Sequence, residues 1–319
     1  MYNIEQINLS DLGNRAEHYD VFLCSSSFEE RCLAIAKNIN QNNVSRVLIC
    51  HYYGPNHKST ENFKYLSELF GEKSHEVTLQ KKEPLSNYDE LLIAIVESQC
   101  KSVLFDISTF TRETLMIALM LFKQERFSDV KLQLCYTPAL RYSAQNEDKE
   151  KCWLSRGVQE IRSVVGYPGF SSSLKKTMMI VLVGLEVERA KILIENYEPD
   201  KLLLGFAPED DSWNKKLAEA NQDCFNELAQ NVGDYGTFNF SCVDINQTII
   251  ILDQIIRENQ RLYNIVVSAM NNKLSTIAVA EVALAHPEVQ ICYASTNQYN
   301  TEGYSFAENK IYLMTWKKL

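Results

Sequence analysis

The sequence predicts an α/β protein made of two tandem Rossmann-like units, each built on a parallel sheet and related by internal duplication. Three observations carry that prediction. Short apolar runs alternate with helical patterns of about 10–14 residues, the pattern of parallel strands covered on both faces. The 319 residues suffice for about two domains at roughly 100–200 residues each. The second half also repeats the elements of the first in the same order.

The repeat is visible element by element. Val21-Phe22-Leu23-Cys24 is a strand-like run, and Ser25-Ser26-Ser27-Phe28-Glu29-Glu30-Arg31 leads into a helical pattern. Met179-Ile180-Val181-Leu182-Val183 is its counterpart, followed by Gly184-Leu185-Glu186-Val187-Glu188-Arg189 and another helical pattern. Glu30-Arg31 thus matches Glu188-Arg189. The strands over residues 46–50 and 201–204 follow. Helices at 91–100 and 249–259 then precede the strands Ser102-Val103-Leu104-Phe105 and Asn264-Ile265-Val266-Val267, each ending in a polar loop. After each loop comes a helix, 113–122 or 274–285. Leu132-Gln133-Leu134-Cys135-Tyr136 then answers Val289-Gln290-Ile291-Cys292-Tyr293. Two β-prone tails, 158–165 and 310–316, read as hairpin or edge additions to their own halves. The turn-rich stretch 167–173 sets the boundary, giving units 1–166 and 175–319. The charged run 145–151 reads as a solvated loop.

Composition excludes several classes. Hydrophobic residues are 45% and charged residues 23%, as in globular proteins, while only 11 Gly and 7 Pro exclude collagen-like or linker-dominated chains. A net charge of −9 disfavours general DNA binding, which needs a basic face. The nine cysteines form no C-x-x-C pair and sit mostly in apolar runs, so reduced buried thiols and a cytoplasmic setting are expected. The N-terminal stretch lacks a signal-peptide layout. The longest apolar run, 178–183, is far below the roughly 20 residues of a membrane helix. No membrane partner, metal or cofactor is expected.

Parallel sheets bind ligands outside the carboxyl ends of their strands, which directs attention to four loops. Ser25 and Ser26, with Gly184 in the second half, lie where backbone amides can approach an anion; helix capping by serine is the competing reading. Glu30-Arg31 and Glu188-Arg189 are either a phosphate grip or a structural ion pair, because arginine opposes the macrodipole at a helix start. Asp106, Ser108, Thr109, Thr111 and Arg112 place one acid, three hydroxyls and a guanidinium in seven residues. Ser268, Asn271, Asn272 and Lys273 occupy the equivalent place. Such groups suit a phosphorylated ligand, with simple capping as the alternative. Fingerprints for NAD, ATP and α/β-hydrolase chemistry are missing. His51 and His57 have no counterpart in the second half, so a loop role outweighs acid–base chemistry.

The strand followed by Asp106-Ile107-Ser108-Thr109-Phe110-Thr111-Arg112 and an apolar helix resembles the signature loop of CARF domains. With a second such loop in one chain, the protein is similar to SAVED domains, which look like two fused CARF units. The resemblance implies a Rossmann-like sensor of a cyclic oligonucleotide in bacterial antiviral defence, with an effector partner encoded nearby. In place of the family's Gly-Thr-Lys stand Phe-Thr-Arg and Asn-Asn-Lys, and no effector segment is recognisable. The leading expectation is therefore a ligand-sensing or regulatory module for a nucleotide or other phosphorylated ligand. Arg112 is expected to matter more than Lys273, since only the first loop keeps an acid. Two alternatives stay open: an enzyme transforming a nucleotide or nucleoside around residues 25–27, Glu30, Arg31 and Asp106, and a scaffold recruiting an effector. The sequence leaves ligand identity and homo-oligomerisation open.

Overall fold

The computed structural model describes all residues except 53, 55, 146–151 and 317–319. The chain divides into two compact units, Met1–Tyr142 with Gly303–Leu319, and Ser143–Glu302. In the first unit the elements run β1 (Tyr2–Asn8), β2 (Tyr19–Ser26), α1 (Ala34–Asn38), β3 (Val44–Tyr52), α2 (His57–Phe70), β4 (Ser74–Leu79), α3 (Pro84–Ser98), β5 (Ser102–Asp106), α4 (Arg112–Phe122), β6 (Lys131–Tyr136) and β7 (Ala139–Tyr142). The second unit follows with β8 (Ser155–Pro168), β9 (Lys176–Leu182), α5 (Val187–Tyr197), β10 (Lys201–Phe206), α6 (Lys215–Gln230), β11 (Gly236–Asn239), α7 (Ile245–Asn259), β12 (Tyr263–Ala269), α8 (Lys273–Ala285) and β13 (Gln290–Tyr299). The chain then returns to the first unit through β14 (Ser305–Ala307) and β15 (Lys310–Trp316).

Both sheets have the expected topology. Strands β4-β3-β2-β5-β6 of the first unit are parallel, and so are β11-β10-β9-β12-β13 of the second. In each, the first parallel strand sits centrally and the order reverses beside it, between β2 and β5 or between β9 and β12. The central strands are buried over most of their length, as residues 21–26 of β2 show, so their apolar runs have no polar face to alternate with. Phe22, Cys24, Val47, Ile49, Leu104 and Cys135 share one core; Met179, Val181, Leu204, Val266, Cys292 and Ala294 share the other. Helices α4 and α8 are apolar almost all round and buried along most of their length. Thr111 and Asn272 cap them, accepting from the amides of Thr114 at 3.1 Å and Ser275 at 2.9 Å.

The tails depart from expectation. β8 runs antiparallel to β13, pairing Cys292 with Ser163, and so belongs to the second sheet although it follows the first repeat in sequence. β15, which follows the second repeat, pairs antiparallel with β6 and with β1 in the first sheet. Each repeat thus donates its tail strand to the other unit. The expected boundaries of 1–166 and 175–319 are corrected accordingly: 143–168 lie in the second unit and 303–319 in the first. β15 is also no edge, since β1 covers its far side, and Ile311, Leu313 and Met314 are buried. The short edge strands β4 and β11 were not expected. The expected solvated loop at 145–151 falls outside the described residues apart from Gln145. Among the described residues, no helix is long and apolar enough to cross a membrane. All nine cysteines are free; seven are buried, while Cys152 is exposed and Cys224 half-buried.

Because residues near the C-terminus complete the first sheet, Leu313→Ala is expected to destabilise that unit by about 2–5 kcal/mol. Amide exchange should accelerate in β1, β5 and β6 and stay unchanged in β12 and β13.

Candidate functional site

At the first unit's switch point, β2 ends in Ser25 and Ser26, and Ser27 follows; all three are buried. Ser26 and His51 are register partners on neighbouring parallel strands, and Ser26 Oγ lies 2.7 Å from His51 Nδ1. Burial lowers the His51 pKa, favouring the neutral ring. Asn62 on α2 donates to the Ser27 carbonyl at 2.7 Å. From the loop after β5, Thr109 Oγ1 donates to the Ser25 carbonyl at 3.2 Å, so that loop meets the end of β2, as the strand order requires. Tyr52 OH lies 3.1 Å from the Thr111 hydroxyl and also meets Thr114 Oγ1. Tyr52, Thr114 and Asn62 were not singled out in the sequence; helix and strand periodicity brings them to this end. Arg112 follows Thr111 as the half-buried first residue of α4.

Much of this loop's polarity holds the loop itself. Asp106 Oδ1 accepts from the Ser108 amide at 3.0 Å and from its hydroxyl at 2.5 Å, while Ser108 Oγ accepts from the Thr137 amide at 2.9 Å. The strand end, the loop and the residue just past β6 are thereby tied together. Burial pushes the Asp106 carboxyl up to about 6, against the hydrogen bonds from Ser108 and the charge of Arg31. Ser108 is fully buried, so it shapes the loop rather than facing solvent.

The duplicated arginines form buried ion pairs, but not with the adjacent glutamates. Glu30 and Glu188 are exposed. Arg31 instead pairs with Glu29 at 2.6 Å and Arg189 with Glu186 at 2.9 Å. Each guanidinium also donates to a carbonyl just beyond or within the fifth parallel strand, Arg31 to Thr137 at 2.9 Å and Arg189 to Ala294 at 2.6 Å. Each carboxylate accepts from a serine on a donated tail, Glu29 from Ser305 at 2.5 Å and Glu186 from Ser155. Burial opposes the charge on both arginines, yet Glu29 and Glu186 hold their pKa above the ordinary value. A one-residue difference in carboxylate position concealed these partners: the glutamate lies two residues before Arg31 and three before Arg189.

In the second unit the loop groups close on one another. Asn271 donates to the Val183 carbonyl at 2.6 Å and accepts from the Asn272 amide at 2.8 Å. Asn272 donates to the Cys242 carbonyl at 2.6 Å while capping α8, and Ser268 is buried. Gly184 is explained by crowding: a Cβ there would lie 2.2 Å from the Met270 carbonyl oxygen. It admits the neighbouring loop rather than an anion. Lys273 opens α8, half-buried like Arg112.

The set expected for an enzyme is therefore only partly assembled. Residues 25–27 and Asp106 share one end of the sheet, but Glu30 points to solvent and Arg31 is committed to Glu29, Ser305 and Thr137. Among the described residues, no group of three or more His, Cys, Asp or Glu could hold a metal ion.

Two expectations follow. Arg31→Ala or Arg189→Ala leaves a carboxylate without its counter-charge and should cost about 3–5 kcal/mol in urea unfolding. Asp106 has its folded pKa raised, so its contribution is full below the ordinary carboxylate value and is lost as pH rises through about 6. Relative to Asp106→Asn, the natural protein should lose up to about 3 kcal/mol between about pH 4 and 7. Parallel unfolding curves at a series of pH values check this.

No protein-family model matches the chain, and no curated protein does. Solved structures similar to it include a universal stress protein from Archaeoglobus fulgidus, at 10% identity and TM-score 0.25, covering 88% of this chain and 97% of that one. Another is UDP-GlcNAc 2-epimerase from Neisseria meningitidis, at 10% identity and TM-score 0.26, covering 78% and 76%. A third is PA1789 of Pseudomonas aeruginosa, a protein of unknown function, at 10% identity and TM-score 0.25, covering 86% and 92%. By its own strand order, the chain is an α/β protein with Rossmann-like parallel sheets.

Proposed function

We propose that this protein is a ligand-sensing or regulatory module that binds a nucleotide or another phosphorylated ligand outside the carboxyl ends of β2 and β5. The observation that carries the reading is the contact of the hydroxyl-rich loop after β5 with the serine-rich end of β2 where the strand order reverses, the general ligand position in such sheets. Arg112 supplies charge at the start of α4, where the helix dipole also favours an anion. Thr109, Thr111 and Tyr52 place hydroxyls at this end, bonded to the Ser25 carbonyl, to Thr114 and to one another, from which a ligand would have to draw them, and Asp106 and Ser108 hold the loop in place. The second unit serves as scaffold at the equivalent position, since Asn271 and Asn272 are spent on neighbouring backbone. The resemblance to CARF and SAVED sensors is the support for a role in bacterial antiviral defence with a separate effector as partner. Ligand binding would then act by favouring one conformational state.

The enzyme reading draws on the Ser26–His51 hydrogen bond and on the raised pKa of Asp106. Against it, Ser26 is 2% exposed and the Asp106 oxygen that faces Ser108 is already engaged.

Calorimetry of the folded protein against mono-, di- and cyclic nucleotides tests the proposal. Arg112→Ala should weaken binding roughly ten- to hundredfold, the loss of one charge-assisted contact, while Lys273→Ala should change it by no more than a few-fold. Silence across the panel overturns the ligand reading. Turnover of a nucleotide that vanishes in Asp106→Asn supports the enzyme instead.

A further inference from the structure

Seven of the nine cysteines are buried, where a thiol is inert. The other two, exposed Cys152 and half-buried Cys224, both belong to the second unit. Both line one cleft of about 310 Å³. Cys152 lies just before β8, and Cys224 lies in α6. Two contacts bring these stretches together. The Cys152 thiol donates to the Ala144 carbonyl at 2.9 Å, and the next side chain, Gln145, donates to the Lys216 carbonyl in the first turn of α6 at 3.1 Å. Just after Cys152, the Trp153 carbonyl accepts from the Ser143 hydroxyl at 2.6 Å and from the Asn300 amide at 3.0 Å.

The two thiols differ in what surrounds them. Burial, then the charges of Glu227, Asp223 and Cys152, push the Cys224 thiol up to about 12. That Cys152 is among these causes places the two sulfurs within electrostatic reach of each other. Cys224 thus stays protonated and slow to react, whereas Cys152 meets solvent directly. A disulfide needs Cα atoms about 4.4–6.8 Å apart. Cys152 and Trp153 belong to no helix or strand, so Cys152 can approach α6 without the loss of a ladder hydrogen bond.

We propose that Cys152 and Cys224 are a redox pair, which a hydroperoxide converts into a disulfide across this cleft. With hydrogen peroxide, the Cys152 sulfur attacks one peroxide oxygen as thiolate. The O–O bond breaks, leaving a sulfenic acid on Cys152, and the departing hydroxide takes up the thiol proton as water. The Cys224 sulfur then attacks the Cys152 sulfur. The S–S bond forms, the S–O bond breaks, and the second hydroxide leaves with the Cys224 proton as water. Two thiols are oxidised and one peroxide is reduced to two waters. The guarded Cys224 thiol makes the second step the slow one, so the sulfenic acid persists long enough to be trapped. The bond ties the stretch before β8 to α6 and narrows the cleft, and a thiol reductant reverses it. This pair does not depend on the ligand site proposed in the first unit.

The test exposes the folded full chain to hydrogen peroxide, then blocks the remaining thiols and maps peptides by mass spectrometry. Thiol titration after unfolding should count nine thiols before exposure and two fewer after it. The peptides carrying Cys152 and Cys224 should be joined within one chain, and dithiothreitol should separate them. In Cys224→Ser, oxidation should stop at a sulfenic acid on Cys152, captured by dimedone. In Cys152→Ser, Cys224 should stay reduced under the same exposure. Both positions reach solvent at least in part, so both variants should fold, with circular dichroism as the check. Four outcomes overturn the proposal: no linkage of Cys152 to Cys224, a linkage of either to another cysteine instead, a linkage only between two chains, or equal oxidation of Cys224 in Cys152→Ser.

Discussion

A guanidinium buried where the first helical segment of each unit begins must find both a carboxylate and a carbonyl, because an unpaired charge in a protein interior costs several kcal/mol. Arg31 and Arg189 meet that demand with three parts of their units at once. The carboxylate comes from the loop after the central strand, the carbonyl from the region where the fifth parallel strand ends, and a serine from the tail strand. The strand-end loops, where ligands of this fold class bind, are held by the same contacts. The Asp106–Ser108–Thr137 chain begins beside this anchor, since the Thr137 carbonyl serves Arg31 while its amide serves Ser108.

Duplication has kept the anchor and let its surroundings diverge. The carboxylate has moved by one position, and the carbonyl acceptor is held by Nη1 in one unit and Nε in the other. The switch-point loops diverge the opposite way. In the first unit an acid and hydroxyls remain at the strand ends, and in the second two amides close onto Val183 and Cys242.

The parallel sheets were legible because burial on both faces turns strands such as β2, β5, β9 and β12 into uninterrupted apolar runs. β4 and β11 were not, since edge strands such as Ser74–Leu79 and Gly236–Asn239 are largely exposed and carry no comparable signal. Residues 158–165 and 310–316 read correctly as β-prone, but local pattern names a strand and not its partner. Pairing across the repeats is a non-local choice that no window of sequence contains. The same holds for the arginines: their importance was visible as a repeated Glu-Arg, whereas their counter-ions, Glu29 and Glu186, depend on how each turn is wound. Gly184 read as an anion loop for want of any view of Met270.

The exchange of tails also orders events during synthesis. β1 has β15 as its sheet partner, with Tyr2 opposite Trp316, so β1 waits for a strand made about 300 residues later. The second sheet has all its strands once residue 299 has left the ribosome. The first still lacks the strand that joins β6 to β1. Closing so long a loop is slow relative to local pairing, and until it closes the β6 edge and β1 stay open to other strands. A nascent chain of this protein therefore holds every strand of the second sheet before the first sheet can close.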